Sequence, residues 1–219
     1  MGGLLVTVAL LITYTIFTRQ RMKKKEIKVS PLSYICFYLF GLYIYTVMEI
    51  TGPGNIFDIP HNICLKFIWI PFNDIIFGYS LKFALFEFIA NIIMFIPLGI
   101  FLPLLWQKYN KFKNTVLTGF TFSLMIELFQ LLNYRYTDLN DLATNTLGTI
   151  LGYLLYTKLL KRKIKKLKII NLKNLSDNLK NTGVSFITII FVLYFFLVPF
   201  LDKVLIKLSL YFVIFPTIK

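Results

Sequence analysis

Long apolar runs separated by short basic segments dominate the pattern of this chain. A helix needs about 20 apolar residues to cross about 30 Å of hydrocarbon, so runs near that length predict membrane-spanning helices. Six runs qualify, at residues 2–18, 31–48, 84–106, 115–133, 142–160 and 184–201. A shorter stretch at 204–215 contains Lys207 and is predicted to lie along the membrane interface. The predicted fold class is therefore all-α, a polytopic transmembrane helical bundle of about six spans.

Composition supports a lipid environment and excludes a soluble domain. The 219 residues are 57% hydrophobic, with a mean hydropathy of +0.71, whereas soluble chains stay near half apolar. The formal charge of +14 does not indicate a nucleic-acid partner, because the basic residues lie in blocks between apolar runs. We expect no nucleic-acid binding.

The basic blocks predict the orientation of the chain in the membrane. They follow the first, third and fifth predicted spans, at residues 19–28, 108–113 and 161–168. Since positive loops stay in the cytoplasm, these loops should face inward and bind anionic lipid of the inner leaflet. The amino terminus and the loop 49–83 should then lie outside, which predicts a multi-pass protein of the cell membrane.

This pattern predicts three regions along the chain. Residues 1–30 form an amino-terminal anchor span, expected to be retained, and a basic loop. Residues 31–160 form a four-span core, and residues 161–219 form a basic segment, an extra span and a tail. His61 is the single histidine and has no nearby cysteine, so a zinc site is not expected, and the sequence leaves the cofactor unknown.

Polar side chains gather at the ends of three neighbouring spans. Successive spans run antiparallel, so the start of the third, the end of the fourth and the start of the fifth should lie at one face of the membrane. By the charge rule, this face is extracytoplasmic. Ionisable groups inside a membrane need a partner or a purpose. The set comprises Glu87 and Asn91, then Glu127 and Gln130, then Asn145, with Arg135, Asp138 and Asp141 in the loop above them.

Two roles remain open for this cluster. Its carboxylates outnumber the one nearby cation, Arg135, so a proton or a bound cation should neutralise part of the charge. Alternatively, the side chains form a hydrogen-bonded network that fixes the packing of three helices, with Arg135 clamping Glu127. Two further features concern packing: Gly148 and Gly152 predict a close helix contact, and Pro97 predicts a kink in the third span.

The order and spacing of these residues resemble the VanZ-like family, membrane proteins associated with teicoplanin resistance. The resemblance covers residues 84–156, and residues 31–83 would supply the family's opening helix. It implies that Glu127, Gln130, Arg135, Asp138, Asp141 and Asn145 are characteristic positions. The pattern comprises Asn91 with Pro97-Leu98-Gly99, Ser123-Leu124-x-x-Glu127-x-x-Gln130, Arg135-x-x-Asp138-x-x-Asp141, Asn145-Thr146-x-Gly148 and Gly152.

Three functions are compatible with these observations. The resemblance implies an envelope protein that lowers susceptibility to teicoplanin-type glycopeptide and lipoglycopeptide antibiotics. The cluster could instead serve a membrane enzyme acting on a lipid-linked envelope substrate at the outer leaflet. Glu127 would then be the general acid or base, Asp138 and Asp141 would hold a divalent ion, and the amide and remaining charged side chains would bind substrate. A carrier or transporter is the third alternative, but the inner halves of these spans offer few polar groups.

Overall fold

The computed structural model describes residues 31–59, 66–68, 81–133, 136–166 and 182–214, with nine scattered residues between 8 and 23. The nine scattered residues are helical. The main helices are α1 (Pro31–Thr51), α2 (Leu81–Leu105), α3 (Phe112–Leu131) and α4 (Leu139–Leu155). Helices are the expected solution for apolar segments, because lipid cannot satisfy the hydrogen bonds of the backbone.

The second half of the chain continues through two short π-helical segments. The first, Tyr156–Leu160, joins α4 to the basic helix α5 (Lys161–Lys166). The second, Leu193–Leu197, joins α6 (Thr182–Val192) to α7 (Val198–Ile214), so residues 182–214 form one helical run. Helix α7 begins inside the last predicted span and continues through residues 204–214, whose interfacial location stays a prediction.

Three of the described helical segments are long and apolar enough to cross a membrane: Pro31–Thr51, Leu81–Leu105 and Gly183–Val204. The described residues are almost entirely helical, which confirms the all-α class. Three of the six predicted spans are among these long apolar helices, and the number of about six spans stays a prediction. Helix α4 is only 17 residues long, and buried polar side chains lower the hydropathy of α3. The first predicted span, 2–18, lies mostly outside the described residues.

One short strand pairing interrupts the helical pattern. Strand β1 (Lys66–Ile68) pairs in parallel with β2 (Tyr136–Asp138), in the register that sets Ile68 beside Asp138. The pairing was not predicted, and it fixes the backbone that leads into α4.

Aromatic side chains form the core of the bundle. Phe37 and Phe40 of α1 pack against Trp106 and against Phe186 of α6, with ring centroids 4.4–5.9 Å apart. Near the end of α3, Phe129 packs edge-on against Phe191 and Phe195. The carboxy-terminal helical run is thus fixed against α1 and α3 along much of its length.

The two ends of the bundle differ in character. We call the end that contains the last turn of α1, the start of α2, the end of α3 and the start of α4 the polar end. The opposite end, the basic end, carries a 3-10 turn at Gln107–Asn110 and the basic side chains Lys108, Lys111, Lys113 and Lys158. Gly183 lies there against the ring of Tyr109, so the run 182–214 extends from the basic end to the polar end.

Candidate functional site

Side chains from α2, α3 and α4 meet at the polar end through direct hydrogen bonds. Asn91 of α2 donates its amide N–H to Asp141 Oδ1 of α4, at 2.6 Å. Glu127 of α3 accepts the backbone N–H of Asp138 at Oε2, at 3.1 Å. These bonds confirm that the start of α2, the end of α3 and the start of α4 lie at one face.

Glu127 is the most deeply buried carboxylate among the described residues of this site. Its side chain is only 2% exposed and lies one turn before the end of α3. The N–H that it accepts belongs to the last residue of β2, whose position is set by the parallel pairing with β1. The backbone N–H of Asp138 thus gives the buried side chain a hydrogen-bond donor within the bundle.

The two aspartates are held by the start of α4. Asp138 is the N-cap residue, and its Oδ1 accepts the backbone N–H of Asn140 at 2.8 Å. Asp141 lies in the first turn, where the helix dipole favours negative charge, and binds Asn91. Within the described ranges, no group of three or more His, Cys, Asp or Glu side chains is arranged to hold a metal ion.

Asn145 contributes an unmatched polar atom to the interior. Its side chain is 2% exposed, and Nδ2 donates to Ser123 Oγ of α3 at 2.9 Å. Its Oδ1 has no hydrogen-bond partner among the residues that the structure describes. A buried unmatched acceptor costs about 1–3 kcal/mol.

The remaining predicted site residues are placed differently. Gln130 donates to the Thr51 carbonyl oxygen at 2.8 Å, so it ties the end of α3 to the end of α1. Glu87 is exposed on α2, one turn before Asn91. Arg135 lies outside the described residues, so its predicted clamp on Glu127 stays a prediction. Ser123 was not predicted as a site residue, although it lies one turn before Glu127 on the same face of α3.

Glycines bring α2 and α4 into close, parallel contact beneath these side chains. A Cβ at Gly148 would collide with the Ile92 carbonyl, and one at Gly152 with the Ile96 carbonyl. Gly99 of α2 faces the backbone of Thr149 in the same way. The predicted close approach at Gly148 and Gly152 is therefore confirmed. Helix α2 continues without a break through Pro97.

A comparison with protein families finds a match to the VanZ/LLP1 model over residues 4–162. No curated protein and no solved structure matches the chain. The matched range contains all of the site residues above, and it extends to the first predicted span, which the resemblance did not cover. Residues 163–219 lie beyond it. Since the match takes in well over half of the sequence, the chain belongs to the VanZ/LLP1 family.

Proposed function

We propose that this membrane protein lowers susceptibility to teicoplanin-type glycopeptide and lipoglycopeptide antibiotics through the polar end, acting at the outer face of the cell membrane. The proposal joins family membership to one observation. Three helices bring a buried carboxylate, Glu127, together with the Asn91–Asp141 pair and an unmatched amide oxygen on Asn145.

The placement of the polar end outside rests on charge. The basic end carries lysines in the turn after α2 and at the end of α4, and such loops are cytoplasmic. We place these lysines, with those of α5, against anionic lipid of the inner leaflet.

A membrane enzyme acting on a lipid-linked substrate is the second candidate. The buried acceptor at Asn145 favours it, because a substrate hydroxyl or amine could supply the missing donor. Glu127 would be the general acid or base. Asp138 already caps α4 and Asp141 already binds Asn91, so both have structural roles that do not require a divalent ion.

Glu127→Gln separates chemistry from architecture. Glutamine keeps the volume of the side chain and an oxygen that can accept the Asp138 N–H, but it cannot be ionised or exchange a proton. We expect the variant to insert and fold normally and to lose protection against teicoplanin. For the enzyme, turnover should fall by about 10²–10⁴-fold, the usual contribution of a general acid or base. Antibiotic susceptibility in a sensitive host, with membrane abundance and melting temperature, is the measurement.

Two comparisons complete this test. Glu26→Gln, in the basic loop after the first predicted span, removes one negative charge elsewhere and should leave protection unchanged. Glu127→Ala leaves the Asp138 N–H without its acceptor and should reduce stability. Full protection by Glu127→Gln, together with aggregation of Glu127→Ala, would show that the cluster is a packing network. Unchanged susceptibility on expression of the unaltered chain would remove the resistance role itself.

A further inference from the structure

A cavity lies at the polar end, apart from the Glu127 cluster. It has a volume of about 400 Å³ and opens between the loop that follows α1 and the carboxy-terminal helical run. Two walls enclose it. One is formed by Glu49, Gly52, Gly54, Asn55, Phe57 and Asp58, and the other by Tyr194, residues 198–199, Asp202 and Lys203. The second wall lies beyond residues 4–162, so it is outside the part of the chain that matches the family model.

A specific backbone contact joins the two walls. Pro199 has no N–H, so the carbonyl four residues earlier, at Phe195, lacks its usual helical donor. Ile56 N–H, from the loop after α1, donates to Phe195 O at 3.2 Å. The π-helical segment Leu193–Leu197 lies at the same place, and such segments are frequent at functional sites. The helical run therefore presents the Phe195 carbonyl to the loop after α1.

The loop itself is fixed from the other side by α3. Gly52 and Gly54 adopt positive φ angles of 55° and 76°, a conformation that side chains disfavour. Between them, the Pro53 carbonyl accepts a hydrogen bond from the Asn133 amide. Both walls of the cavity are therefore held in place by contacts with the helical bundle.

The cavity is acidic. Glu49, Asp58 and Asp202 line it, against one ammonium group on Lys203. The Glu49 carboxylate lies beside the hydroxyls of Tyr45 and Tyr194. Within the described part of the chain, none of these carboxylates forms an ion pair with a basic side chain. The lining is therefore two negative charges in excess and favours a cation.

Lys203 supplies the opposite charge at the rim. Its Nζ lies 3.3 Å from the ring centroid of Phe57, a cation–π contact, and Phe57 packs edge-on against Phe200 at 4.9 Å. This ammonium group is held by a ring instead of by a carboxylate, so its charge stays available to an anion. A ligand that carries both signs would match the carboxylates and Lys203 together.

Position narrows the class of ligand further. The cavity lies at the carboxy-terminal end of Pro31–Thr51, a helix that is long enough to span a membrane, and beside residues 194–203 of the carboxy-terminal helical run. Charged side chains at the ends of spans lie at the level of lipid headgroups. Its volume is also within the range of small-ligand sites.

We propose that this cavity binds a phosphate ester that bears a primary ammonium group. The ammonium group is received by Glu49, Asp58 and Asp202, and the phosphate by Lys203. The same chemistry occurs in the headgroup of phosphatidylethanolamine and in free phosphoethanolamine. This site is independent of antibiotic protection and of Glu127.

Lipid retention by the full-length protein tests the proposal. Detergent-solubilised protein is incubated with equal amounts of phosphatidylethanolamine and phosphatidylglycerol, and bound lipid is counted by native mass spectrometry. We expect a preference for phosphatidylethanolamine. Asp202→Asn is nearly isosteric. It should reduce the preference for phosphatidylethanolamine over phosphatidylglycerol by roughly tenfold, as expected for loss of one charge-assisted hydrogen bond. Lys203→Met should weaken retention of both lipids.

Lys207→Met is the matched control, since Lys207 is exposed one turn further along α7, and it should change neither quantity. Free phosphoethanolamine distinguishes the two sources. Displacement of bound phosphatidylethanolamine identifies the lipid headgroup as the ligand, and binding without any lipid preference identifies a soluble ligand. Equal retention of both lipids with no binding of phosphoethanolamine would overturn the proposal. So would a preference that Asp202→Asn and Lys203→Met both leave intact in folded protein.

Discussion

Two acidic regions lie at the polar end, and they differ in how the protein treats their carboxylates. In the Glu127 cluster, Glu127 is buried and accepts a backbone N–H, while Asp141 binds the amide of Asn91. At the cavity, Glu49 and Asp58 are exposed and Asp202 is half-buried. The first region buries its carboxylate inside the bundle. The second keeps its carboxylates at the surface, where Asp58 accepts the backbone N–H of Asn55 from its own loop.

This difference separates what each region can do. Removal of a buried, hydrogen-bonded carboxylate leaves a polar group unmatched, so folding and function are coupled in the Glu127 cluster. The cavity carboxylates are solvated, so changes there should affect binding with little effect on stability. The three predictions below test this contrast, and the one with the largest expected effect comes first.

Thiol labelling of intact cells should distinguish single cysteines at the polar end from one in the basic helix α5. In a Cys36→Ala/Cys64→Ser background, Asn140→Cys near the Glu127 cluster and Asn55→Cys at the cavity should both react with a membrane-impermeant thiol reagent on intact cells. Lys163→Cys in α5 should react only after permeabilisation. Reversal of the whole pattern would place both regions in the cytoplasm. Opposite behaviour of Asn140→Cys and Asn55→Cys would contradict a shared polar end.

Gly152→Ile should disrupt the Glu127 cluster and spare the cavity. The new side chain would meet the Ile96 carbonyl and force α2 and α4 apart, and overpacking of this kind costs about 1–3 kcal/mol or more. We expect a marked fall in melting temperature in detergent. Ala143→Ile, at an exposed position of the same helix, is the control and should melt like the unaltered protein. Equal melting of both variants would show that the glycine contact is dispensable.

Asp138→Ala should cost about 1 kcal/mol, the usual value of an N-cap side chain. Asp138→Asn keeps an oxygen for the Asn140 N–H and should retain most of the stability. Asp58→Ala, at an exposed carboxylate of the cavity, should change stability by less than about 0.5 kcal/mol. Chemical denaturation in mixed micelles measures all three. A cost for Asp58→Ala as large as that for Asp138→Ala would remove the distinction between the regions.

The meeting of α2, α3 and α4 was predictable because it follows from alternation. Once three apolar runs are identified, their antiparallel order alone brings Asn91, Glu127 and Asp141 to one face. The glycine contact was predictable for a similar reason, since Gly148 and Gly152 lie one turn apart on one face of a helix. Both inferences need only local spacing.

The strand pairing and the cavity were not predictable in this way. Strands β1 and β2 have three residues each, too few to show an alternating pattern. The cavity needs Glu49 to meet Asp202 across most of the sequence, and nothing in local spacing relates them. Likewise, the bond from Gln130 to Thr51 depends on which helices are neighbours, so local spacing could not show that Gln130 ties α3 to α1.

The hydrogen bond from Ile56 to Phe195 has a consequence for the biogenesis of this protein. Chains enter the membrane from the amino terminus onward during synthesis, so α1 and its loop are in place long before Pro199 leaves the ribosome. Until then the Ile56 N–H has no Phe195 carbonyl to bind, and Glu49 and Asp58 face lipid headgroups without a second wall. The Glu127 cluster can therefore assemble first, and the cavity is completed only when residues 194–203 have inserted.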